Sequence, residues 1–140
     1  MPSSATGAGY SGTPLDRKLG IRSGHRVALL GAPAGFEGGT LALPDGVTVR
    51  RRAGGKADVI VSFHTSRAEL ARRLPALRAM MQPAAGLWIA WPKRASKVPT
   101  DISEDVLREI ALPTGLVDNK VCAVDERWSG LRLVIRREHR

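Results

Sequence analysis

The sequence carries a single cysteine, Cys122, among 140 residues. One thiol forms no internal disulfide and fits a reducing compartment. Aromatic residues make up only 4%, so aliphatic side chains must fill most of any core. Histidine occurs at positions 25, 64 and 139. With one cysteine and no clustering, these match no metal-ligand spacing, and neither a metal nor a cofactor is expected. No apolar run approaches the ~20 residues of a membrane span. The stretch from Met1 to Gly9 lacks the basic and apolar regions of a signal peptide, so a cytoplasmic, membrane-free protein is expected.

Acid is missing from the middle of the chain. Residues 50–97 hold eleven Lys/Arg against Asp58 and Glu69, while the remainder balances eleven against eleven. The net charge of +9 therefore sits in the middle third. Such a field attracts nucleic acid, phosphorylated ligands or an acidic protein. Arg67, Arg72, Arg73 and Arg78 are more simply read as solvated helix positions.

The order of patterns predicts an α/β fold. Residues 1–12 are small and polar and read as a disordered tail; residues 13–140 read as one domain. Thr13-Pro14 and Gly20 bracket a short helix. Strands are predicted at residues 25–30, 47–52 and 57–63, the first and third apolar on both faces. Ser66 and Glu69 have capping-box spacing ahead of a helix over 67–81, with Leu70, Leu74, Leu77 and Met81 on one stripe and Pro75 as a kink. Gln82-Pro-Ala-Ala-Gly86 reads as a closing loop, and Leu87 to Trp91 as a fourth strand, which delivers Pro92-Lys93-Arg94 and Lys97 to the sheet edge. A second helix begins with Asp101 or Ser103 as its cap and is lined by Ile102, Val106 and Ile110. The chain then enters a strand over 120–125, turns through 126–130 and returns over 131–136. Right-handed crossovers place the third strand beside the first, the second on the other side, and the fourth beyond the third. The result is a small Rossmann-like three-layer sandwich, mainly parallel, with a C-terminal antiparallel hairpin.

The segments Asp58-Val-Ile-Val61, Leu74-Pro-Ala-Leu77, Gly86-Leu-Trp-Ile89 and the terminal hairpin make the chain resemble the second half of a class I methyltransferase. A closer resemblance, over nearly the whole length, is to a small bacterial family of unknown function. It is carried by Tyr10-Ser-Gly-Thr-Pro-Leu15, Lys18-Leu-Gly-Ile21, Trp91-Pro-Lys93, Val98-Pro-Thr-Asp101, Gly115-Leu-Val-Asp-Asn-Lys-Val-Cys-Ala-Val-Asp125 and Trp128-Ser-Gly-Leu-Arg132. The resemblance implies a truncated methyltransferase-like fold and brings no activity with it.

Open parallel sheets bind ligands beyond the carboxyl ends of their strands. That rule gathers Gly31, Gly35, His64, Trp91, Lys93, Arg94 and Lys97 as candidate ligand-binding residues, with Asn119 and Lys120 nearby. Gly31-Ala-Pro-Ala-Gly35 lacks the nucleotide-binding spacing, and Arg50-Arg-Arg52 stands where a ribose-binding acid is usual. Cations, an imidazole and loop N–H groups suit an anion. The leading expectation is a non-catalytic binding or regulatory module for an anionic ligand or an acidic protein segment. A divergent methyltransferase-like enzyme acting on a phosphorylated or nucleotide substrate, with His64 as general base, ranks second. A nonspecific nucleic-acid binder ranks third, because few aromatics interleave with the basic residues.

Overall fold

The computed structural model describes residues 12–140; all of the expected tail except Gly12 lies outside the described residues. The elements are α1 (Leu15–Leu19), β1 (Arg26–Leu30), β2 (Thr48–Arg50), β3 (Ala57–Phe63), α2 (Arg67–Ala79), β4 (Met81–Pro92), α3 (Glu104–Ala111), β5 (Leu116–Ala123) and β6 (Trp128–Ile135). Among the described residues, no helix is long and apolar enough to cross a membrane.

The strands form one sheet in the order β2-β1-β3-β4-β6-β5. The first four run parallel, β6 is antiparallel to β4, and β5 is antiparallel to β6. This is the expected Rossmann-like α/β fold. The middle strands read as continuous apolar runs because both faces are covered. On one face Ile60, Leu87, Ile89 and Trp91 pack with Leu70, Leu74 and Leu77 of α2 and Leu107 and Ala111 of α3. On the other, Val59, Val61, Phe63 and Trp88 pack with Leu15 and Leu19 of α1 and with Phe36 and Leu41 of the loop after β1.

Several boundaries differ from the sequence pattern. α2 ends at Ala79, and Met81 opens β4 by pairing with Ala57 across a register shift. Pro83 and Gly86 therefore lie within β4 rather than in a closing loop. α2 also runs on through Pro75, which sits on the exposed face. The hairpin is longer than its alternation shows. β5 starts at Leu116, and β6 at Trp128, because the Asp125 carboxylate accepts from the N–H groups of Arg127 and Trp128 and tightens the turn. Ser103 caps α3, accepting from the Val106 N–H at 3.3 Å. Asp101 serves α2 instead, accepting from the Arg67 N–H at 2.7 Å.

Helices are missing from two connections. β1 reaches β2, and β2 reaches β3, without one. β2 also stops at Arg50, so Arg51 and Arg52 leave the sheet. The carboxyl ends of β1 and β3 lie side by side, Leu30 pairing with Ser62.

Candidate functional site

A cavity of about 490 Å³ lies beyond those strand ends. It is lined by Leu30 and Gly31 from β1 and its exit, by Arg51, Arg52 and Ala53 after β2, by residues 62–66, by Glu69 and Arg73 of α2, and by Trp128. A second cavity of about 380 Å³ lies beside it against Gly31, Pro33, Gly35, Glu37 and Arg51. Such volumes suit a small molecule. Phe63 packs edge-on against both Phe36 and Trp128 at 5.0 Å, and Phe63 and Trp128 give the larger cavity apolar lining beside its arginines.

His64 follows the last residue of β3. It is 5% exposed, and Ser62 is 1% exposed. Ser62 Oγ lies 2.6 Å from His64 Nε2, and Glu69 Oε1 lies 2.6 Å from His64 Nδ1. A carboxylate only accepts, so Nδ1 carries the proton on that side. In the neutral ring, Nε2 then accepts from the Ser62 hydroxyl. Glu69 keeps its N-terminal role through its backbone, whose N–H donates to Ser66 Oγ at 3.2 Å. Its carboxylate also lies 3.8 Å from Arg73. Arg51 is held by Glu37, at 2.9 Å through Nε and 2.5 Å through Nη2. Arg52 is exposed.

Gly31 and His64 thus share the larger cavity, and Gly31 and Gly35 the smaller one. The other candidates lie elsewhere. Trp91 is 8% exposed and belongs to the core beneath α2 and α3. Lys93 donates its N–H to the Arg127 carbonyl at 2.7 Å, and Arg94 to Ser96 make a 3-10 turn closed by Lys97 at φ 61°. These cations do not line either cavity. Lys93 and Lys120, with Lys18, instead bear on Cys122. Asn119 is the bulged residue of β5 and Lys120 pairs with Arg132, at the far edge of the sheet from β1. Sequence reasoning missed Ser62, Glu69 and Arg73 as site residues. The available signal was a lone hydroxyl within the apolar run Val59-Ile-Val-Ser-Phe63.

No family model matches the chain, and no curated protein matches it. Solved structures do. A SAM dependent methyltransferase from Aquifex aeolicus matches with a TM-score of 0.58 at 20% identity, over 86% of this chain and 88% of that one. Magnesium protoporphyrin IX methyltransferase from Synechocystis PCC 6803, with bound SAM, matches with a TM-score of 0.59 at 12% identity, over 86% and 74%. Ribosomal protein L11 methylase from Lactobacillus delbrueckii subsp. bulgaricus matches with a TM-score of 0.56 at 10% identity, over 87% and 75%. The fold is that of the class I methyltransferases. At these identities the likeness is one of fold.

The loop residues do not fit a methyl donor. Pro33 offers no N–H, and the Phe36 N–H is turned inward to the Pro33 carbonyl at 3.1 Å. No helix follows to aim its N-terminus at the loop. Arg51 and Arg52 stand where an acid would take ribose hydroxyls, and guanidiniums repel a sulfonium.

Proposed function

We propose that this chain is a non-catalytic, cytoplasmic binding module that holds an anionic ligand at the carboxyl edge of its sheet. One observation carries the reading: the cavity beyond β1 and β3 is walled by Arg51, Arg52 and Arg73. Guanidiniums present paired N–H donors that match carboxylate and phosphate oxygens. Gly31 lets the backbone approach, and His64 lines the cavity with its ring nitrogens engaged by Ser62 and Glu69. The recessed shape favours a small anion over an acidic protein segment. A thermal-shift screen against phosphate, phosphosugars, citrate and an acidic peptide tests this. Stabilisation by an anion that is lost in both Arg52→Ala and Arg73→Ala supports it. No stabilisation by any of them removes it.

A second reading is a divergent enzyme acting on a phosphorylated or nucleotide substrate, with His64 as general base. The chain of bonds from Ser62 through His64 to Glu69 favours it, since a base oriented by a carboxylate is a recurrent catalytic device. Turnover of a phosphate ester that disappears in His64→Ala would establish it over the binding module.

A further inference from the structure

The proposal concerns the charge of the anion and rests on the reading above. Four charged residues line the larger cavity: Arg51, Arg52, Arg73 and Glu69. Glu37 joins them through its ion pair with Arg51. Three guanidiniums against two carboxylates leave one positive charge. A monoanion balances that set, and a dianion does not. One titratable group remains, His64, buried at the base with both ring nitrogens engaged.

We infer that the cavity takes a phosphate monoester as its dianion, and that His64 takes up one proton with it. Protonation gives the site a second positive charge, which matches the dianion. It also reverses the bond to Ser62. A doubly protonated ring donates from Nε2, so Ser62 Oγ must accept. The Ser62 hydrogen, until then directed at His64, is released to turn toward the cavity as a donor for a phosphate oxygen. Ser62 thereby converts the charge of the histidine into a hydrogen bond to the ligand.

The groups facing His64 agree with this sense. Glu69 is in direct contact and favours the protonated ring. Arg73, beyond Glu69 at 3.8 Å, opposes it, as do Arg51 and Arg52 across the cavity. Bound phosphate dianion brings two negative charges beside those arginines and tips the balance toward protonation. Asp101 lies at the N-terminus of α2 and is engaged by the Arg67 N–H. Leu30, Gly31 and Trp128, from the strands packed around the ring, carry no charge.

The test is calorimetric titration with phenyl phosphate, whose phosphate is a dianion above its second pKa of about 6. Titrations at about pH 7 and pH 8.5, in buffers of different ionisation enthalpy, count the protons taken up. One coupled proton weakens binding by up to about tenfold per pH unit above the His64 titration. The proposal expects proton uptake near one, a loss of affinity between the two pH values of at least about fivefold, and a flat profile for His64→Gln. Should that variant fold poorly, the wild-type His64 ring followed by NMR carries the test, because phenyl phosphate must raise its titration midpoint. Binding without proton uptake, or a midpoint that does not move, overturns the inference and leaves the anion module standing. No binding of phenyl phosphate, alongside stabilisation by citrate or the acidic peptide, overturns the inference alone. No binding by any of these anions overturns both readings.

Discussion

Glu69 gives its side chain to His64 and its backbone to Ser66. The carboxylate meets Nδ1 at 2.6 Å, while the Glu69 N–H donates to Ser66 Oγ at 3.2 Å. The spacing of a capping box has been turned into a link between the helix start and the histidine. The first helical turn thus fixes the tautomer of the neutral His64 ring.

Glu69→Gln separates those roles. Its amide oxygen still accepts from His64 Nδ1, and the Ser66 Oγ cap draws only on the backbone N–H of residue 69. One negative charge is lost from the cavity wall. With Glu69 about a third exposed, solvent screens the effect, so affinity for a monoanion, which needs no proton on His64, should rise by about fivefold. The stability change should stay within ~1 kcal/mol. Titration with acetate and urea unfolding measure the two effects.

The fold was legible because its signals are collective. Three buried parallel strands, each an apolar run, and one heptad-like stripe on α2 leave few topologies once crossovers are right-handed. The site was only half legible. Gly31 and His64 follow strands, and the strand-end rule finds them. Arg51, Arg52 and Arg73 were harder, because a guanidinium on a helix or after a short strand reads as solvated. Lys93, Arg94 and Lys97 follow a central strand yet line neither cavity. The turn from Arg94 to Ser96 closes on its own carbonyls.

Pro75 interrupts the hydrogen bonding of α2 on its exposed face without ending the helix. Pro75→Ala restores an N–H for the Ala71 carbonyl and removes the ring clash. Some of that gain is offset by a freer unfolded chain. A net stabilisation of about 1–2 kcal/mol is expected, read as a higher urea midpoint at unchanged slope.

The glycines after β1 differ in what they tolerate. Gly31 has φ 71°, and a Cβ there would meet the Phe63 carbonyl at 3.3 Å. Gly35 has φ 81° with open space around it. Gly39 is not left-handed, but a Cβ there would collide with the Gly35 carbonyl. Gly35→Ala should cost only the left-handed strain, about 1 kcal/mol. Gly31→Ala and Gly39→Ala should each cost more, about 2 kcal/mol. Thermal unfolding of the three variants gives the ranking, and an equal cost at all three positions would contradict it.

Burial raises the Cys122 pKa above its ordinary value, and the charges of Lys18, Lys120 and Lys93 pull the other way without reversing it. A thiol whose folded pKa is raised holds its proton longer than in the unfolded chain. The folded protein should therefore react with iodoacetamide more slowly than unfolded protein near pH 8, with the rate still climbing beyond pH 9. By the same sign, ionisation of Cys122 removes stability as pH rises through the unfolded-state value. Alkylation rates across pH, followed by mass spectrometry, check both the direction and the site.

Trp88 joins the strand at the centre of the chain to its first helix. It is fully buried, and its Nε1–H donates to the Leu19 carbonyl at 3.0 Å. On its other side lies Gly130 of β6, where a Cβ would stand 3.2 Å from Trp88 Cε3 and 3.0 Å from Val124 Cγ2. Trp88→Phe leaves a buried carbonyl without its donor and a void beside β6, at a cost of about 2–4 kcal/mol. Gly130→Ala overpacks the same contact and should cost about 1–3 kcal/mol. The added methyl of the second change partly fills the void of the first. The double variant should therefore lose less stability than the two single losses combined, by at least about 0.5 kcal/mol. Denaturant unfolding of all four proteins closes the cycle. Strict additivity would mean that Trp88 is fixed by its bond to α1 alone, and that its ring does not set how closely β6 approaches β4.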